Sequence, residues 1–202
     1  MKEIVSKLDG LRTETNSLKV SFRRLVTARL PVNLYSARAQ MQRRAATLLH
    51  GIDEASNSWE EFDCLHLADD ERGDRTSLLL GGASGGVALT NFSHAGLIPM
   101  AGAGTLFLMN LEHLSHRAQS VLCSIIQSGR YTPVGDPFPR PVVCRLIVGT
   151  EKPLAELARR LVVGWKLVEA LGHISLKAED VLNVLGKKEI FNTHPGSLAA
   201  AS

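Results

Sequence analysis

Residues 101–135 read AGAGTLFLMNLEHLSHRAQSVLCSIIQSGRYTPVG, and this stretch decides the fold. The compact apolar run at 104–108 predicts a buried β-strand. A helix follows, because Ser115 is a favourable N-cap residue and the apolar positions after it recur with helical spacing. The apolar face of this helix comprises Leu114, Ala118, Val121, Leu122, Ile125 and Ile126. The strand itself ends on a thioether and an amide, Met109 and Asn110.

The same strand–helix pattern recurs on both sides of this stretch. Apolar runs at 30–35, 59–67 and 141–150 predict three further strands. The last run is almost continuously apolar, as is typical of a central parallel strand. Segment 39–52 predicts a helix whose inward face comprises Met41, Ala45, Leu48 and Leu49. Strands that alternate with helices indicate an α/β sandwich with a mainly parallel sheet.

The charge pattern bears on the class of partner. A formal net charge of +3 is spread over short basic pairs separated by acidic residues. This pattern is typical of solvated helix faces rather than of a nucleic-acid-binding stripe, so we expect no direct DNA binding. The pairs are Arg23-Arg24, Arg43-Arg44, Arg159-Arg160 and Lys187-Lys188.

The cysteines and the N-terminal segment indicate the compartment. Cys64, Cys123 and Cys144 lie far apart in apolar runs, which is typical of buried thiols in a reducing compartment. The N-terminal residues lack an apolar core of signal-peptide type, and no window approaches a membrane span. We therefore expect a cytoplasmic protein without a membrane partner.

The chain divides into three segments by composition. Residues 1–28 have apolar positions at roughly helical spacing and predict an N-terminal helical segment. Residues 29–185 hold all the predicted strands and form the core domain. Residues 186–202 read as a disordered tail.

A family resemblance rests on the ordered match of residues 101–135. AGAGTLFL and the positions that follow it resemble the central AAA+ ATPase domain of bacterial enhancer-binding proteins, the activators that remodel sigma-54 RNA polymerase. The resemblance extends over about residues 17–185. It implies a three-layer α/β/α core of the P-loop NTPase type, with the helical lid missing or vestigial. The matching positions after AGAGTLFL are Leu111, Leu114, Gln119, Leu122, Ile126, Gly129, Val134 and Gly135.

The segment that aligns with the family's phosphate loop lacks the groups that bind phosphate. Such a loop needs glycines whose backbone N–H groups face the phosphates, a lysine, and a hydroxyl that holds Mg²⁺. The aligned segment, Ser36 to Arg43, contains no glycine. Gln42 stands at the lysine position, and Arg43 stands where the family has an acidic residue or a hydroxyl. The resemblance therefore implies a loop without phosphate chemistry.

The other positions that the resemblance assigns to hydrolysis are also replaced. Met109 and Asn110 align with the Asp and Glu of the second nucleotide motif, which hold the metal and polarise water. Glu151 aligns with the sensor asparagine, and Val162 and Val168 align with the arginine fingers. The loop that contacts the sigma factor, GAFTGA in the family, is Gly85-Gly86-Val87-Ala88-Leu89-Thr90 here.

These substitutions imply a pseudo-ATPase that acts by protein–protein contact. We expect no cofactor and no metal. The helical lid, the DNA-binding helix-turn-helix and an N-terminal receiver domain are not recognisable in the sequence. We expect the partner to be an intact AAA+ activator of the same family, or a second copy of the chain. The expected interface is the face that carries Val162, Trp165 and Val168.

Two other functions remain open from the sequence. Gly82-Ala83-Ser84-Gly85-Gly86 satisfies the nucleophile-elbow pattern of serine hydrolases, with Asp136 and then His173 or His194 in the required order. An independent α/β scaffold protein is the other. A metal site at His113 and His116 is disfavoured, because no acidic or cysteine partner clusters with them.

Overall fold

The computed structural model describes residues 28–52, 58–67, 76–81, 96–172 and 174–186. Its strands are β1 (Val32–Tyr35), β2 (Trp59–Asp63), β3 (Thr105–Met109), β4 (Arg130–Tyr131), β5 (Arg140–Pro141), β6 (Arg145–Thr150) and β7 (Ser175–Lys177). Its α-helices are α1 (Ala39–Ile52), α2 (Thr76–Leu80), α3 (Leu97–Ala101), α4 (His116–Ser128), α5 (Leu154–Arg159), α6 (Trp165–Ala170) and α7 (Ala178–Leu185). Short 3₁₀ turns occupy Cys64–Leu67 and Leu111–His113.

Five strands form one sheet in the order β2-β3-β6-β1-β7. All four pairings in this sheet are parallel, and β6 lies at its centre. The prediction of a mainly parallel sheet with a central strand near 141–150 is therefore confirmed. Strands β4 and β5 pair separately as a small antiparallel hairpin.

One face of the sheet packs against α1 and α7. Its core includes Leu34, Phe107 and Ile147 from the strands and Ala45 from α1, all completely buried. These strand residues alternate with residues that point to the opposite face, as the two-residue period of a strand requires. Helix α1 has the predicted bounds, although its buried residues are Gln42, Ala45, Ala46 and Leu49.

The opposite face of the sheet packs against the helices α2 to α6. Leu106, Leu108 and Val148 are buried strand residues in the core on this face. Helix α4 is the longest on this face, and the Ser115 hydroxyl accepts a hydrogen bond from the Ala118 N–H at 3.2 Å, which confirms the predicted cap. Helices on both faces of the sheet give the three-layer α/β/α sandwich that the resemblance implies.

Three of the predicted strands are longer than the observed ones, and the strand predicted at 30–35 begins at Val32. The strand predicted at 59–67 ends at Asp63, where the side-chain Oδ1 accepts the Leu65 N–H at 3.0 Å and turns the chain. The strand predicted at 141–150 begins at Arg145 instead, because Pro141 pairs with Arg130 in the hairpin.

Cys64 and Cys123 are buried as predicted, and Cys144 is partly buried. Burial raises the pKa of the Cys144 thiol to about 11. Within the described ranges, no helix is long and apolar enough to cross a membrane. The N-terminal segment predicted at 1–28, apart from residue 28, and the tail beyond residue 186 lie outside the described residues.

Candidate functional site

The carboxyl ends of β1 and β6 mark the place where an open parallel sheet of this order would bind a ligand. The connection from β1 leads through α1 towards β2 at one edge of the sheet, whereas the connection from β6 leads to β7 at the other. The two neighbouring strands thus send their connections in opposite directions. In open α/β sheets, ligands bind in the crevice outside the carboxyl ends of such a strand pair.

The side chain of Gln42 fills this crevice. Its Nε2 group donates hydrogen bonds to the Ser36 carbonyl at 2.7 Å and to the Thr150 carbonyl at 2.9 Å. These carbonyls directly follow β1 and terminate β6, and Gln42 is 2% exposed. Gly149 makes room for the carboxamide, because a Cβ atom on residue 149 would collide with the Gln42 Oε1 atom. The crevice is closed by a side chain of the protein itself.

The turn between β1 and α1 is short and is stabilised by hydrogen bonds of the Ser36 side chain. Helix α1 begins at Ala39, so the turn comprises only residues 36–38. The Ser36 hydroxyl donates to Glu179 Oε1 at 2.7 Å and accepts the Arg38 N–H at 3.1 Å. This hydrogen bond from Ser36 is the main cause that lowers the pKa of the Glu179 carboxyl. The turn is therefore tied to the first turn of α7.

Arg43 lies beside the end of β3 and places a guanidinium group there. Its Nε donates to Glu61 Oε1 at 2.6 Å, and its Nη2 pairs with the same oxygen. Nη2 also lies 3.9 Å from the Met109 Sδ atom. Met109 is 8% exposed and belongs to the core beneath α1. The Arg43 guanidinium thus pairs with the Glu61 carboxylate, and neither Arg43 nor the Met109 thioether supplies an oxygen ligand of the kind that Mg²⁺ requires.

Asn110 stabilises the turn after β3. It adopts a left-handed conformation with φ 54°, which asparagine tolerates better than most residues. Its Nδ2 group donates to Asp63 Oδ1 at 2.9 Å, which joins the ends of β2 and β3. Glu151 presents its side chain to solvent, whereas its N–H donates to Glu112 Oε1 at 2.9 Å.

The segment between α5 and α6 forms an exposed apolar patch, which we call the 161–165 patch. Leu161 is 80% exposed, Val162 37% and Trp165 52%. Leu161 also adopts φ 59°, a left-handed conformation that costs a non-glycine residue about 1–2 kcal/mol. Val168 was expected on this face, and that prediction is wrong: it is 6% exposed and packs in the core with Leu167.

Gln119 on α4 holds this patch in place. Its Nε2 group donates to the carbonyls of Leu114 at 2.9 Å and Val162 at 3.0 Å, and its Oε1 accepts the Gly164 N–H at 2.9 Å. The sequence analysis counted Gln119 among the positions that match the family but assigned it no contact, and it gave Leu161 no role. A polar residue on the inward side of an amphipathic helix was the signal that could have found Gln119.

Several predicted site residues lie outside the described residues. These are the loop Gly85-Gly86-Val87-Ala88-Leu89-Thr90, Ser84 and both histidines proposed to serve it, His173 and His194. Asp136, the third residue of the hydrolase pattern, is described, and its carboxylate bonds the Phe138 N–H and Arg140. Among the residues that the structure describes, no group of three or more His, Cys, Asp or Glu could hold a metal ion.

Comparison with known proteins shows the family to which the chain belongs. The family model described as the Sigma-54 interaction domain matches residues 17–176. The transcriptional regulatory protein DagR of Salmonella typhimurium is 34% identical over 86 residues, which are 42% of this chain and 9% of that protein. The chain therefore matches only a small part of that regulator.

Solved structures share the fold. NtrX from Brucella abortus, solved in complex with ADP, matches with a TM-score of 0.64 at 15% identity, over 81% of this chain and 35% of that one. The P-loop NTPase domain of a sigma-54 activator from E. coli matches with a TM-score of 0.51 at 20% identity, over 80% of this chain and 92% of that one. The chain belongs to the sigma-54 interaction domain family, with an AAA+ P-loop fold related to that of transcriptional regulators.

Proposed function

We propose, from this family membership, that the chain is a catalytically inactive AAA+-like regulatory protein that modulates an intact sigma-54-dependent activator. The proposal rests on one observation above all. The crevice between β1 and β6, where a ligand would bind, is filled by the buried Gln42 carboxamide.

Nucleotide binding would have to displace this side chain. The two Gln42 hydrogen bonds contribute on the order of 0.5–1.5 kcal/mol each. The phosphates would gain little in exchange, since the turn at 36–38 has no glycine and no lysine follows it. We therefore propose that the chain needs no nucleotide cofactor and folds without one.

The metal position gives a second and independent obstacle. Phosphoryl transfer requires a divalent cation and a group that orients water. Arg43 and Met109 contact each other beside the end of β3, where a guanidinium and a thioether can hold neither. Asn110 contributes an amide that already bonds Asp63. Restoring nucleotide binding alone would therefore not restore hydrolysis.

The 161–165 patch is the proposed contact surface. An exposed left-handed leucine costs the chain free energy, and such strain persists where the surroundings fix it, as Gln119 does here. Burial of Leu161 in a complex would contribute up to roughly 1.5–3 kcal/mol, and Val162 and Trp165, which are 37% and 52% exposed, would contribute correspondingly less. We propose that an activator subunit covers this patch, and that inserting an inert subunit changes assembly or ATP hydrolysis at that contact.

Co-expression with each intact sigma-54 activator of the same genome tests the function. We expect one activator to co-elute in size-exclusion chromatography and to change its ATPase rate. Val162→Glu should weaken the complex, whereas Thr47→Glu should not, because Thr47 is exposed on α1 at the opposite face of the sheet. If no activator co-elutes or changes rate, an independent scaffold replaces this proposal.

A further inference from the structure

A groove of about 480 Å³ lies between helix α4 and the start of α6, and we call it the α4–α6 groove. Trp165 and Lys166 line it on the side of α6, and a polar stripe lines it on the side of α4. The residues of this stripe recur at intervals of three and four, so they share one face of the helix. The stripe comprises His116, Ser120, Ser124 and Gln127.

Buried side chains join the two sides of the groove. Gln119 is buried on α4, and its amide bonds the Val162 carbonyl and the Gly164 N–H just before α6. Cys123 is also buried, and its thiol donates to the Lys166 carbonyl at 3.4 Å. The groove is therefore built between two packed helices of the core domain.

Lys166 supplies a positive charge to the lining. Its side chain is exposed, and none of the ion pairs among the described residues includes it. No Asp or Glu of the described ranges lines the groove. Since opposite charges are complementary across an interface, the groove favours a ligand that carries a carboxylate.

The polarity and the length of the groove favour a stretch of polypeptide over a small molecule. Small-molecule sites are mostly apolar and enclose their ligand, whereas Ser120, Ser124 and Gln127 are polar and exposed. Their hydroxyl and amide groups can bond the N–H and C=O groups of a peptide main chain. From His116 to Gln127 the helix rises about 16 Å. About five residues of extended chain span that length.

The groove is continuous with the 161–165 patch, because Trp165 belongs to both. A partner that covers the patch therefore reaches the groove as well. Tryptophan is one of the residue types that dominate the energetics of protein interfaces, and an apolar side chain of the partner can pack on this indole. A nucleic acid is disfavoured, because its affinity depends on several phosphate contacts, and Lys166 is the one lysine or arginine among the described residues that line the groove.

We propose that the α4–α6 groove binds an extended acidic segment of the partner protein, with a carboxylate at Lys166 and an apolar side chain against Trp165. This inference rests on the proposed function, since the partner is the sigma-54 activator that covers the 161–165 patch. It adds the chemistry of the segment that the chain recognises.

Binding of the intact activator to the purified full chain, measured by fluorescence anisotropy, tests the proposal. Ser124→Trp, which fills the groove, and Lys166→Glu, which reverses its charge, should each weaken binding more than tenfold. Thr47→Trp and Arg44→Glu are the matched controls, because both residues are exposed on α1 at the opposite face of the sheet. All four variants should melt at the temperature of the unmodified chain, since all four side chains are exposed.

Overlapping fluorescein-labelled peptides that together cover the activator's sequence identify the segment. A peptide that binds the full chain should contain Asp or Glu close to an apolar residue, and Lys166→Glu should abolish its binding. Binding peptides without a carboxylate, or equal binding by Lys166→Glu, would refute the assigned chemistry.

The remaining outcomes separate the groove from the proposed function. If Val162→Glu abolishes binding of the activator, and Ser124→Trp and Lys166→Glu do not, the role of the groove is refuted and the proposed function stands. Association with a labelled second copy that Ser124→Trp prevents would contradict the partner assigned here. If no activator binds the unmodified chain, the proposed function fails, and the groove proposal fails with it.

Discussion

Gln42 is the residue on which the interpretation of the site depends. It is a polar side chain with 2% exposure, and it joins the ends of two neighbouring strands through one amide group. A buried amide in this position has a structural role that a nucleotide-binding lysine would not have.

We predict that Gln42→Leu lowers the free energy of unfolding by about 1–3 kcal/mol, because the buried Ser36 carbonyl loses its donor. Urea denaturation measures the effect. Gln40→Leu is the matched control, since Gln40 is exposed in the first turn of the same helix. Equal effects of the two substitutions would contradict the role assigned to the amide.

The bond between Ser36 and Glu179 gives a prediction on pH. The hydrogen bond from Ser36 lowers the folded-state pKa of Glu179 below the value near 4.3 that is expected for the unfolded chain. The bond therefore stabilises the fold fully above that value, and the stabilisation is lost as pH falls through the folded-state pKa. We expect Glu179→Gln to lose less stability than the unmodified chain between pH 5 and pH 3.

Urea denaturation at both pH values measures this difference. Glu169→Gln provides the comparison, because Glu169 is exposed on α6. If both variants follow the pH dependence of the unmodified chain, the bond between Ser36 and Glu179 contributes nothing to it.

For single residues, the sequence predicted the chemical character of the site better than it predicted which side chains are exposed to solvent. Comparison with the family's motifs shows that Gln42, Arg43 and Met109 stand where the family has other residues. It does not show that the side chains of Arg43 and Met109 contact each other. Val168 shows the limit of such reasoning. Val168 lies three residues after the exposed Trp165, so in a short helix its side chain could face either solvent or the core. The packing of α6 on α4 buries it.

At the element scale, Gln119 links α4 to the 161–165 patch through three hydrogen bonds. We predict that Gln119→Leu leaves the fold intact but releases the segment, because the Gly164 N–H and the Val162 carbonyl both lose their partner. Amide hydrogen exchange at Gly164 should become at least tenfold faster, which corresponds to about 1.4 kcal/mol.

Ser120→Leu is the comparison for this prediction, since Ser120 follows Gln119 on the exposed side of α4. Unchanged exchange at Gly164 in Gln119→Leu would show that packing alone holds the patch. Binding to the activator should weaken in parallel with the faster exchange, since the patch is then no longer preformed.

Element bounds were predictable where local signals are strong. Helix α1 has its predicted bounds, and the Ser115 cap fixes the start of α4. Strand ends were less predictable, because they depend on the neighbouring strand. Strand β2 ends where Asp63 pairs with Met109, at the last residue of β3, although the apolar run continues beyond it.

At the scale of the whole molecule, alternating strands and helices predicted the class of fold but not the order of the strands. The order β2-β3-β6-β1-β7 brings residues near positions 36, 42 and 150 together, and no spacing in the sequence shows this. The family resemblance added the expectation of a three-layer α/β/α core of the P-loop NTPase type. The fold it implied is the one observed, with the crevice of that fold closed by Gln42.

The central claim is that this crevice binds no nucleotide, and calorimetric titration with ATP and Mg²⁺ tests it most directly. We predict no saturable heat at millimolar ATP and an unchanged melting temperature, with an intact activator as the positive control in the same buffer. A saturable signal with a rise in melting temperature would contradict the account. A ligand at about 100 times its dissociation constant adds roughly 2.7 kcal/mol to the free energy of unfolding, so such a rise would be unmistakable.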